Sequence, residues 1–162
     1  MIQEKYNRRI YDEGTEDAIL RLSHLRSNVL MPVDISHDDH VLIIDPDSEA
    51  IVEWLREQAT EVTTVATEAL GDIKDTFNII ISLGHLGETP ANLKKLLSAE
   101  GRLVYALAEK DRVADFVKRL LVEAGFEDIS SFRVSPDYLF ATEIYAEDYI
   151  GGGAGDYLLI AR

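Results

Sequence analysis

Three carboxylates share one short segment, Asp45-Pro46-Asp47-Ser48-Glu49, and a histidine, His85, closes an apolar run further along the chain. A histidine beside a carboxylate is the elementary acid–base pair, one group orienting or accepting the proton of the other. If the two segments meet, Asp45, Asp47, Glu49 and His85 form such a cluster; a turn histidine bonded to backbone is the plainer reading of His85. Asp34 with His37-Asp38-Asp39-His40 offers ligand types for a divalent cation, but a solvated loop ahead of a strand has the same composition, and that reading is preferred. Gly151-Gly152-Gly153-Ala154-Gly155 has the glycine content of a phosphate cradle. A cradle follows a strand and opens a helix, whereas this run precedes a strand pattern and reads as a flexible connection. Tyr138, Phe140, Tyr145 and Tyr149 are interleaved with Asp137, Glu143, Glu147 and Asp148, which suits a partner protein, a sugar, or packing over a sheet edge. No Ser, Thr or Lys stands in a recognisable nucleophile setting.

The elements that must position these groups follow from periodicity. Val41–Ile44 is a continuous apolar run, the mark of a strand buried on both faces. From Ala50 the period becomes helical, with Ala50, Ile51, Trp54 and Leu55 on one stripe and Glu53, Arg56 and Glu57 opposite. Asp47 or Ser48 caps that helix, which spans 49–59. Val62–Ala66 and Phe77–Leu83 read as further strands, and residues 67–76 leave room for one helical turn. Pro90 opens a helix running to about Ser98 with Leu93, Leu96 and Leu97 inward; Gly101 then punctuates, and Arg102–Leu107 is a strand. A helix over 111–124 has Val113, Phe116, Val117, Leu120 and Leu121 on its apolar face and Gly125 at its end. Phe126–Val134 and Asp156–Ala161 are the closing strands. Residues 1–33 form a helical N-terminal extension over an edge or face of the sheet, and 135–155 an irregular insertion before the last strand. The expected fold is α/β, three-layered and Rossmann-like, with a mostly parallel sheet and an antiparallel last strand, in a single domain over 1–162.

With 30 acidic against 16 basic residues the net charge is −14, which repels phosphate backbones and argues against nucleic acid as a partner. No cysteine is present, so thiolate chemistry and disulfides are excluded. The first residues lack the apolar core of a signal peptide and no apolar run approaches spanning length, so the expectation is a cytoplasmic protein with no membrane partner.

The order of elements resembles the class I S-adenosylmethionine-dependent methyltransferases. Val41–Asp45 looks like their first strand, Phe77–Leu86 like their fourth strand and following turn, and Leu93–Tyr105 like the helix, glycine turn and fifth strand. Leu22–Leu30 and Ser135–Tyr149 are similar to segments of bacterial methyltransferase-like proteins associated with glycan biosynthesis. The resemblance covers roughly residues 20–162 and implies S-adenosylmethionine as cofactor. Carried across, the family's G-x-G-x-G turn falls on Asp45–Glu49, with a carboxylate at each glycine position. The acid that holds the ribose falls at or beside Ala66, with Glu68 two residues on; the acid within the first strand is Ile43, and the aspartate leading the fourth is Asn78. The ten residues 67–76 are too few for the family's helix and third strand, since a parallel crossover alone takes a dozen or more. The expectation is therefore a trimmed, degenerate member. Asp45, Asp47, Glu49, Glu68 and His85 mark its cofactor pocket; S-adenosylmethionine binding is lost, and the chain serves as a non-catalytic binding or assembly module, with a protein partner or homodimer covering an unpaired sheet edge. The alternative is an active methyltransferase acting on a small molecule or glycan through a divergent pocket.

Overall fold

The computed structural model describes residues 2–147 and 155–162. Helices α1 (Ile2–Glu13) and α2 (Glu16–Leu22) lead into a 3₁₀ segment, His24–Val33. Then come β1 (His40–Ile44), α3 (Glu49–Gln58), β2 (Glu61–Val65), a 3₁₀ turn (Thr67–Asp72) and β3 (Phe77–Leu83). They are followed by α4 (Pro90–Lys94), β4 (Leu97–Leu107), a 3₁₀ turn (Glu109–Asp111) and α5 (Ala114–Glu123). Strands β5 (Ile129–Ser135), β6 (Glu143–Ala146) and β7 (Asp156–Ala161) complete the chain.

One seven-stranded sheet has the order β2-β1-β3-β4-β7-β5-β6. The first four strands are parallel, and β7 slots in antiparallel between β4 and β5. The two faces carry separate cores. On one, Val29, Leu30 and Val33 of the N-terminal segment and Ile51 and Leu55 of α3 close over Val41, Ile43, Ile79 and Ile81. On the other, Leu93, Val117 and Leu121 cover Leu42, Ile80, Leu103 and Tyr105. This is the three-layer, mostly parallel, Rossmann-like methyltransferase architecture.

Four local expectations need correction. The helix opened by Pro90 stops at Lys94, and Leu97 already belongs to β4. Two steps of β3 (Phe77 to Ile79) face five of β4 (Leu97 to Arg102), so the extra residues loop out at Gly101, where any Cβ would press on Leu97. The stretch 135–155 is not wholly irregular: Glu143–Ala146 pairs with β5 as the edge strand β6. The 111–124 helix begins only at Ala114, and its Phe116 lies outside, 48 % exposed, with the Arg119 guanidinium over its ring. The aromatic–acid segment divides too. Tyr138 joins the core, Tyr145 donates to Glu143 at 2.6 Å, and Glu147 pairs with Lys118 at 2.8 Å. Tyr149, Asp148 and the glycines 151–153 lie outside the described residues.

Tyr105 is fully buried, and its hydroxyl has no hydrogen-bond partner among the described residues. Burial pushes its pKa well above that of a free tyrosine, with Glu88 adding to the effect. An unpaired buried hydroxyl costs on the order of 1 kcal/mol or more. Tyr105→Phe is therefore expected to raise the unfolding free energy by about 1 kcal/mol. A loss of stability in chemical denaturation would mean that the hydroxyl has a partner.

Candidate functional site

In open α/β sheets the place for a site is the carboxyl end of the parallel strands where the strand order reverses. Here β1 leads outward to β2 and β3 leads the other way to β4, so the reversal lies between β1 and β3. Asp45 follows β1, Thr67 follows β2 and His85 follows β3.

Asp45 sits at φ +46°, in the left-handed region. Asp is among the few non-glycine residues that occupy it readily, because its short side chain bonds locally. Its carboxylate accepts from the Thr67 N–H at 3.1 Å and the Thr67 hydroxyl at 2.5 Å. The Thr67 hydroxyl bond, more than the nearby His85, holds the Asp45 carboxyl below the ordinary aspartate range. His85 Nε2 lies 3.8 Å from Asp45 Oδ2, within ion-pair range but too far for a hydrogen bond, and it is buried without a hydrogen-bond partner among the described residues. Thr67, not Glu68, is thus the residue that β2 contributes. Glu68 is exposed on the following turn and stands apart from the cluster.

The other two carboxylates face the N-terminal segment instead. Asp47 Oδ1 accepts from Arg26 Nη2 at 2.8 Å, and Arg26 Nη1 donates to the Leu20 carbonyl. The Arg26 side chain is 1 % exposed and that of Asp47 54 %. Ser48 caps α3, accepting from the Ile51 N–H at 3.2 Å, and donates to the Arg21 carbonyl at 2.8 Å. Glu49 pairs with Arg9 at 2.9 Å and Arg21 at 3.1 Å, and the Arg9 bond holds its carboxyl below the ordinary glutamate range. Three arginines of the N-terminal segment therefore close on two of the three acids. The expected strand-end cluster divides accordingly. Asp45 and His85 come together, while Asp47 and Glu49 belong to the seam with α1, α2 and the 3₁₀ segment.

Beyond β3, Tyr138 reaches across the strand end. Gly84, at φ +84°, passes so close beneath it that a Cβ would collide with the Tyr138 hydroxyl. Burial pushes the Tyr138 hydroxyl up, and Asp47 adds to it. Next to Tyr138, a cavity of about 540 Å³ opens at the ends of β3 and β4, with Gly84, Glu109, Lys110, Asp137 and Asp156 among its walls. Asp156 fixes two of those walls, accepting from the Glu109 N–H at 2.8 Å and the Tyr138 N–H at 2.9 Å.

The loop at 34–40 spreads its ligand types apart. His37 contacts the Thr60 hydroxyl at 3.2 Å, His40 packs at a tilt against the Phe77 ring with centroids 4.5 Å apart, and Asp39 pairs with Arg102 at 3.5 Å. Arg26, Thr67 and Asp156 are site residues that the sequence reading does not single out.

No protein-family model matches the chain, and no curated protein matches it. Solved structures do. An S-adenosylmethionine-dependent methyltransferase from Thermotoga maritima is 15 % identical, with 97 % of each chain covered and a TM-score of 0.53. A TehB-like S-adenosylmethionine-dependent methyltransferase from Corynebacterium glutamicum is 17 % identical, covering 98 % of this chain and 95 % of that one at a TM-score of 0.55. A precorrin-6y methyltransferase from Geobacter metallireducens is 14 % identical over 85 % of both chains, with a TM-score of 0.55. At identities this low the likeness shows the fold alone.

Proposed function

We propose that this chain is a single methyltransferase-fold domain that does not use S-adenosylmethionine and acts as a binding or assembly module. The observation that carries the reading is the Arg26–Asp47 pair. Asp47 stands at a glycine position of the turn where the family's cofactor brings its methionine carboxylate, and it already presents a carboxylate to the buried guanidinium. Three further features support it. The turn carries acid side chains in place of open backbone, Tyr138 lies over the neighbouring strand end, and the link 67–76 holds a single 3₁₀ turn, Thr67–Asp72, where the family places a helix and a strand. A ligand carboxylate close to Asp45 and Glu49 would meet repulsion of order 1 kcal/mol per pair in a solvated setting. The charge of −14 disfavours nucleic acid and anionic membrane surfaces as partners, and among the described residues no helix is long and apolar enough to cross a membrane.

A second reading, an active methyltransferase on a small molecule or glycan, is favoured by the cavity of about 540 Å³ at the ends of β3 and β4 and by the similar structures being those of methyltransferases. Titration calorimetry with S-adenosylmethionine and S-adenosylhomocysteine separates the two. The first reading expects no heat up to millimolar ligand, and none after Asp47→Gly with Glu49→Gly, since Asp45 and Tyr138 remain in place. Micromolar binding by the native chain would establish the second. Tight binding gained from the two glycine substitutions alone would show that those carboxylates were the only obstacle.

A further inference from the structure

We propose that β2 is a self-association edge: two copies of the chain pair antiparallel through Glu61–Val65, about a two-fold axis at Thr63, and join their sheets. The inference rests on the trimmed sheet and stands whether or not the cofactor turn binds a ligand.

Among the described residues β2 is paired only to β1, because the link from β2 to β3 contains a 3₁₀ turn and no strand. The register fixes which backbone groups remain. Val65 lies opposite Ile44, and its carbonyl accepts from the Asp45 N–H at 2.8 Å. In a parallel ladder alternate residues turn both N–H and C=O to the same side. Glu61, Thr63 and Val65 therefore address β1, while Val62 and Thr64 present their donors and acceptors outward.

Soluble proteins ordinarily blunt such an edge with lysine, proline or a bulge. Glu-Val-Thr-Thr-Val has none of these, and its β-branched residues favour a strand.

The segment is also complementary to itself. With the axis at Thr63, Val62 of one copy faces Thr64 of the other, and the two residues that point outward exchange both hydrogen bonds. By symmetry this happens twice. Thr63 then faces Thr63 at the non-hydrogen-bonded position, a favourable cross-strand pair. Glu61 faces Val65, so no acid opposes an acid. A register shifted by one residue would set inward-turned groups against outward ones and lose the bonds. A second copy is thus the occupant whose donors, acceptors and charges match this edge.

The chain has no cysteine, so a single introduced thiol reads the geometry directly. Thr63→Cys places two thiols across the axis, where opposed Cβ atoms lie about 5 Å apart, close to disulfide range. Mild oxidation is expected to yield a covalent dimer, with far less from Thr64→Cys, which faces Val62. Sedimentation equilibrium of the native chain should show a monomer–dimer equilibrium that shifts toward dimer with added salt, as the charge of −14 on each copy is screened. Thr64→Pro removes only an outward N–H and should leave the fold and its melting intact while abolishing the dimer. A native chain that stays monomeric at millimolar concentration would overturn the proposal and leave the edge to a strand from another protein. A dimer that survives Thr64→Pro, or that cross-links equally well at 63 and 64, would also overturn it.

Discussion

Arg26→Ala is expected to lower the unfolding free energy by about 3 kcal/mol and the melting temperature by roughly 6–12 °C. Arg26, near the start of the 3₁₀ segment, is the largest fully buried side chain among the described residues, with its guanidinium bonded to the Leu20 carbonyl of α2 and to Asp47. Truncation removes the contacts of the stem and leaves a hole, which for large buried side chains costs about 2–5 kcal/mol. Breaking a buried ion pair adds most when the remaining charge cannot reach water. Asp47 is 54 % exposed and can be hydrated, so the lower part of that range applies. Arg26→Met keeps the volume and relieves the burial of a charge, and should stay within about 1 kcal/mol of the native chain. Arg26→Lys cannot reproduce the fork to both partners and should fall between the two. Chemical denaturation of the three variants decides the matter; an unchanged midpoint for Arg26→Ala would show that the buried guanidinium does not pin the N-terminal segment.

The same residue marks the limit of what the sequence discloses. Strands β1, β3 and β7 are legible nearly to the residue, because a strand covered on both faces must be a continuous apolar run and no competing helix period fits. The helix read over 49–59 and found at Glu49–Gln58 is legible for the complementary reason, a 3.6 period beginning just after capping side chains; the sequence leaves Asp47 and Ser48 open as the cap, and the structure selects Ser48. Errors arise where two patterns share residues. Leu93, Leu96 and Leu97 have helical spacing, yet Leu97 is a strand residue beside a bulge that only the partner strand reveals. Phe116 has the spacing of a core position but lies at the margin of the buried stripe. Strand β6 is four residues with no face fully buried, so alternation alone does not announce it. In the site, Asp45 and His85 are brought together by topology, which the order of elements conveys. Arg26, Thr67 and Asp156 owe their roles to partners 21, 22, 47 and 18 residues away. In sequence each looks like an ordinary surface residue.

Asp156→Ala is the second large effect, expected at about 3 kcal/mol in the unfolding free energy, and it acts through the backbone. The carboxylate, 8 % exposed at the first residue of β7, is the acceptor for the main-chain N–H groups of Glu109 and Tyr138. An orphaned buried donor costs roughly 1–3 kcal/mol, and here one truncation orphans two. Both bonds are only partly buried and water in the adjoining cavity can satisfy the donors in part, which places the sum in the lower half of the combined range. Asp156→Asn retains one acceptor but turns an amide N–H toward the other donor, so it should lose about 1–2 kcal/mol. Amide exchange locates the damage: protection should fall at Glu109 and Tyr138 while β3 and the body of β4 keep theirs. The position of Tyr138 depends on the bond to Asp156, so the same variant loosens the side chain that lies over Gly84. If Tyr138 were the sole obstacle at the strand end, Asp156→Ala would acquire affinity for S-adenosylmethionine. The Arg26–Asp47 pair and the acid-bearing turn are untouched by the substitution, so the expected result is lost stability and local protection with no gain of binding. Affinity gained in this variant would place the obstruction at Tyr138 rather than at the turn.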